Sequence, residues 1–120
     1  MIENIKILQV NLNKSIYATE STLQLAIEQK VDIIAIQEPW IAPTSNNYEA
    51  LRSTAHQSFY QIFPNSTTSR PRALFYISRS LKAEVKRVDE IADPDAIAIT
   101  IQQERSKFNI YNIIIIIIIV

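Results

Sequence analysis

The sequence predicts an α/β (or α+β) sheet protein, and three observations carry that reading. A short apolar run, IKILQV (Ile5–Val10), is followed by a stretch of helical spacing and then by a second apolar run, VDIIAI (Val31–Ile36). That is a compact β-α-β unit, whose strands lie parallel with a right-handed crossover. Downstream come further short runs rich in Ile, Phe and Tyr, separated by Pro, Asn, Ser and Asp, which read as more strands. A β-α-β unit leading into a run of strands excludes a helix bundle.

Taken in order, Ile5 to Val10 is the first strand, and Asn11, Leu12, Asn13 and Lys14 end it. From Ser15 to Lys30, Ile16, Leu23, Ala26 and Ile27 share one side of a helix. Ser21-Thr22-Leu23-Gln24 has capping-box spacing, and Ser15 is the competing start. Val31 to Ile36 is the second strand. Pro39 to His56 is polar and proline-bearing, hence loop, with a short helical piece around Tyr48 to Thr54. Ser58–Phe63 and Arg72–Ser78 are strands, joined by a Ser-, Thr- and Asn-rich turn from Pro64 to Pro71. Ala83 to Val88 is a candidate short strand. Ala96–Gln102 and Ser106–Asn112 alternate and pair as a hairpin across Gln103-Glu104-Arg105.

Composition bounds the function. A chain of 120 residues matches one ordinary domain of roughly 100–150 residues. Formal net charge is zero, so no overall basic field points to nucleic acid or to an anionic membrane. There is no cysteine, which excludes disulfides, thiolate metal sites and thiol nucleophiles. The start, MIENIK, lacks the pattern of a signal peptide, and no run is long enough for a membrane helix, so an intracellular protein is expected. Glycine is also absent, so Asn, Asp, Ser and Pro must shape the turns. The last eight residues are seven isoleucines and a valine. They read as a low-complexity end, residues 113–120, following a domain of residues 1–112. Exposed, such a segment is an aggregation hazard.

The chemistry-bearing stretch is VDIIAIQEPW, residues 31–40. A strand buried on both faces ends in Gln37 and Glu38, with a stiff Pro39 and the sole tryptophan, Trp40, directly after. In a parallel β-α-β unit ligands bind beyond the carboxyl ends of the strands. Asn11 and Asn13 leave the first strand there, and Glu38 leaves the second. One carboxylate flanked by amide oxygens suits a hard cation. Magnesium fits, since it often takes one or two protein carboxylates and fills its other positions with water and phosphate oxygens. An ordinary solvated Glu and a pair of turn-forming Asn residues give the same pattern.

Together, ILQVNLNKS, the helix, VDIIAIQEPW, SRPRALFYISRSL and FNIYN resemble the N-terminal part of the endonuclease/exonuclease/phosphatase superfamily, above all the endonuclease domains of non-LTR (LINE-type) retrotransposon proteins. The likeness runs from Lys6 to Asn112. It implies part of a two-sheet α/β sandwich, expected here as one sheet with a helix packed outside it. It implies that Glu38 binds a catalytic Mg²⁺ (or Mn²⁺), that Asn11 organises the site, and that Asn13 stands near the metal. It also implies hydrolysis of a DNA phosphodiester and allows a nuclear location.

The departures matter as much. The family's later Gly-Asp-x-Asn and terminal Ser-Asp-His segments are not in this sequence, and its site Tyr falls at Ile114. The isolated chain is therefore expected to be inactive or nearly so, as the N-terminal fragment of a Mg²⁺-dependent endonuclease. The alternative is a non-catalytic, degenerate product. His56, the one histidine, matches no family motif and reads as a surface residue. Arg70, Arg72, Arg79, Lys82, Lys86 and Arg87 could contact phosphates, but strand alternation divides them and an acidic patch follows, so they read as a solvated surface.

Overall fold

The computed structural model describes residues 4–41, 55–65, 71–91 and 93–113. Residues 42–54 of the loop expected over Pro39–His56, with its helical piece around Tyr48–Thr54, residues 66–70 of the expected turn, and residues 114–120, on which the aggregation expectation rests, lie outside them. The element order is β1 (Ile7–Asn11), α1 (Ile16–Glu28), β2 (Ile33–Gln37), β3 (Phe59–Ile62), β4 (Ala73–Ser78), β5 (Glu84–Arg87), β6 (Ala96–Gln103) and β7 (Ser106–Ile113). β7 thus runs into the first isoleucine of the terminal run.

The first sheet has the order β1-β2-β4-β3. β1 and β2 are parallel, with Asn11 opposite Gln37, as the β-α-β reading requires. β4 lies antiparallel to both β2 and β3. The expectation of a single sheet is corrected, because β5-β6-β7 form a second, antiparallel one.

Alternation along the strands explains the layering. Ile34, Ile36, Leu74 and Tyr76 face one way and pack with Leu23 and Ala26 of α1. Ile33, Ala35, Ala73, Phe75 and Ile77 face the other way and pack against Ile97, Ile99 and Ile101 of β6. The result is helix, sheet, sheet. β2 and β4 are covered on both sides, so their runs are continuously apolar and not alternating.

α1 starts at Ser15, not at Ser21. Ser15 has extended backbone angles, and its Oγ accepts from the Ala18 N–H at 3.1 Å. Ser21 lies inside the helix, its box spacing coincidental. The buried stripe is Thr19, Leu23 and Ala26, spaced i, i+4, i+7. Ile27 was expected on that side, but it sits one step around the helix and is exposed. The C-terminal end is a Schellman motif without glycine. Lys30, at φ 54°, donates to the Ile27 carbonyl, and buried Val31 donates to Ala26 at 2.8 Å.

Candidate functional site

The site lies at the carboxyl rim of β1 and β2. Leaving β1, the chain turns through two consecutive left-handed residues, Asn13 (φ 48°) and Lys14 (φ 59°). The Asn11 Oδ1 accepts from the Asn13 N–H at 2.9 Å, closing an Asx turn. Leaving β2, Glu38 is itself left-handed, at φ 50°. Such a conformation is unfavourable for a residue with a Cβ and persists where surrounding bonds over-determine it. Here they do. The Glu38 N–H donates to the Arg72 carbonyl at 2.9 Å, and its own carbonyl accepts from the Lys14 N–H at 2.9 Å. Leu12 N–H donates to the Gln37 carbonyl, so the two strand exits are stitched together. The backbones carrying Asn11, Asn13 and Glu38 therefore share one rim.

The Glu38 side chain is a quarter exposed. Among the described residues the Arg72 guanidinium faces it, with Nη2 3.9 Å from Oε1, beyond hydrogen-bond reach. The Arg72 Nη1 lies 3.5 Å from Asp95 Oδ1. That oxygen is shielded from solvent and makes no hydrogen bond among the described residues, so the contact is electrostatic. Among the described residues no group of three or more His, Cys, Asp or Glu side chains converges.

Two residues that the sequence reading left without a structural role hold the second sheet to this rim. Gln37 Nε2 donates to the Ile113 carbonyl at 2.9 Å. Asn112 is fully buried, and its Nδ2 donates to the carbonyls of Ile36 and Leu74, at 2.8 and 3.0 Å. Those two residues are register partners on β2 and β4, so one amide spans both strands, two residues before Glu38 in the chain. β7 (SKFNIYNI) carries several polar residues, so nothing local marked Asn112 as the buried one.

Other candidates resolve differently. His56 is half-buried rather than a free surface residue: its Nδ1 accepts from the Ser58 N–H at 3.0 Å, and its ring meets Phe59 edge-on. Arg87 pairs with Asp89 and Lys86 with Glu84, while Arg79 lies over the Tyr60 ring. Those cations behave as an ordinary charge-balanced surface. Arg70 and Ile114 lie outside the described residues.

No family model and no curated protein matches the chain. Among solved structures, the endonuclease domain of TRAS1, a telomere-specific non-LTR retrotransposon, matches with a TM-score of 0.68 at 15% identity. Over the matched part the chain shares that domain's fold. The match covers 92% of this chain and 44% of the TRAS1 domain, so this chain spans less than half of that neighbour. The expected likeness to part of a two-sheet α/β fold is thereby borne out, while this chain holds strands of two sheets and not of one. No helix among the described residues is long and apolar enough to cross a membrane.

Proposed function

We propose that the chain is the metal-holding part of a nuclease-type phosphodiesterase domain that acts on DNA. Glu38 binds a divalent cation, Mg²⁺ or Mn²⁺, while Asn11 and Asn13 shape and orient the rim around it. A cation bound there would neutralise charge developing on a phosphodiester and supply an activated water. The supporting observation is the left-handed Glu38, locked by backbone bonds from Lys14 and to Arg72. The exposed turn residue Glu104 is left-handed as well, at φ 53°, so what sets Glu38 apart is that its backbone is bonded on both sides, to two separate segments. The fold shared with the TRAS1 endonuclease domain adds to this.

The chain's own residues bind and orient. General-base and phosphate-stabilising groups of the resembled family have no counterpart in the sequence, and each is typically worth a factor of about 10² or more in rate. Purified chain is expected to bind Mn²⁺ but to nick supercoiled plasmid with Mg²⁺ negligibly. Robust nicking that vanishes in Glu38→Ala would refute the inactivity. Equal Mn²⁺ affinity in wild type and Glu38→Ala would refute the metal assignment and leave a non-catalytic domain.

A further inference from the structure

Arg72 is the basic side chain within 4 Å of the Glu38 carboxylate, and its anchoring is unusual. Its backbone is held at both ends, by N–H to the Pro94 carbonyl at 2.7 Å and by its carbonyl to the Glu38 N–H at 2.9 Å. The guanidinium, by contrast, makes only long contacts among the described residues, 3.9 Å to Glu38 and 3.5 Å to Asp95. It is two-fifths exposed, and a guanidinium carries five N–H donors in a planar fork. A fixed base with a loosely held head lying between two carboxylates suits a group that exchanges partners. Tight structural arginines instead form close bidentate pairs.

We infer that Arg72 is an exchangeable counter-cation. Without a divalent ion it neutralises Glu38. When the ion arrives, the guanidinium yields Glu38, stays tethered to Asp95 and turns its free donors to a phosphate oxygen of the nucleic acid. Arg72 is thus a positioning residue that links cation entry to phosphate binding, and Asp95 keeps it from being lost to solvent. This rests on the reading of Glu38 as a metal ligand.

The test uses the full chain, with Mn²⁺ binding followed by the paramagnetic resonance of free ion and folding checked by circular dichroism. Removing a competing surface cation, as in Arg72→Gln, should tighten Mn²⁺ binding about fivefold, while Arg72→Lys should stay near wild type. In duplex-oligonucleotide binding, Arg72→Gln should lower the slope of log affinity against log salt by about one, the signature of one lost phosphate contact. Asp95→Asn, which frees Arg72 to lean on Glu38, should weaken Mn²⁺ binding. If Arg72→Gln leaves Mn²⁺ affinity unchanged or lower while Glu38→Gln abolishes binding, the counter-cation idea fails and the metal site stands. Unchanged affinity in Glu38→Gln removes both. Should Arg72→Gln not fold, unaltered Mn²⁺ binding in Asp95→Asn overturns the inference by itself.

Discussion

Asn112 offers a test of how the two sheets are joined, because its amide orientation is forced. Two carbonyl oxygens, those of Ile36 and Leu74, lie 2.8 and 3.0 Å from one terminal atom, so that atom must be the NH₂. Asn112→Asp keeps the shape and puts a carboxyl oxygen against both acceptors. Protonated, it can serve one of them, so below pH ~4 the variant should lose one net hydrogen bond, about 1 kcal/mol. Ionised, it faces two carbonyl dipoles in a dry site. Burial therefore raises the introduced carboxyl's folded-state pKa above its unfolded value of about 3.9. The sign follows. Below that value there is no ionisation penalty, and as pH rises the penalty grows by up to about 1.4 kcal/mol per unit until the folded-state carboxyl ionises. At pH 7 the total should reach ~3–5 kcal/mol, comparable with the whole stability of a marginal domain. Urea unfolding of wild type and variant at several pH values from 4 to 7 measures the difference directly. Asn112→Ala is the control, expected to cost about 2 kcal/mol at every pH. A flat difference for Asn112→Asp across that range would show that Asn112 is not buried against those carbonyls.

Two further outcomes follow from local geometry. Lys30 occupies the left-handed position closing α1, so Lys30→Gly should stabilise the fold by up to about 1 kcal/mol, a rise in Tm of roughly 4 °C by thermal melting. Tyr60 has its phenol pKa raised by burial, with the Arg79 charge partly offsetting this. The unfolded chain then ionises first, so stability should fall as pH rises above about 10, and Arg79→Gln should push the phenol higher in an absorbance titration.

The β-α-β unit and the later hairpin were readable because periodicity reports burial directly. Val31–Ile36 was read as buried on both faces, and that property already demands a layer on each side of β2. The second layer was nevertheless not foreseen, because pairing among β5, β6 and β7 is non-local and alternation does not say which sheet a strand joins. Ser15 and Ser21 offered equal capping signals, and the choice was decided by where the turn at Asn13–Lys14 delivers the chain. Asn11, Asn13 and Glu38 were readable as one rim because parallel strands put their carboxyl ends together. Arg72 and Asp95 were not, since they reach that rim from distant segments through backbone bonds that no local pattern encodes.

The strain at Glu38 can be separated from its chemistry. Glu38→Ala and Glu38→Gly both remove the carboxylate, so neither should bind Mn²⁺ at this rim. They differ in backbone cost. At φ 50° a Cβ is unfavourable by roughly 1–2 kcal/mol, which glycine escapes, while glycine's greater freedom in the unfolded chain returns about 0.5–1 kcal/mol of that. Glu38→Gly should therefore be more stable than Glu38→Ala by about 0.5–1 kcal/mol, a few degrees in Tm. Thermal melts of the two variants read the difference, and circular dichroism confirms that both are folded. If the alanine variant is as stable as the glycine variant, the backbone at residue 38 is relaxed. The case that a strained, doubly anchored position exists to present a carboxylate then fails, because a chain without glycine would be holding Glu38 there at no cost.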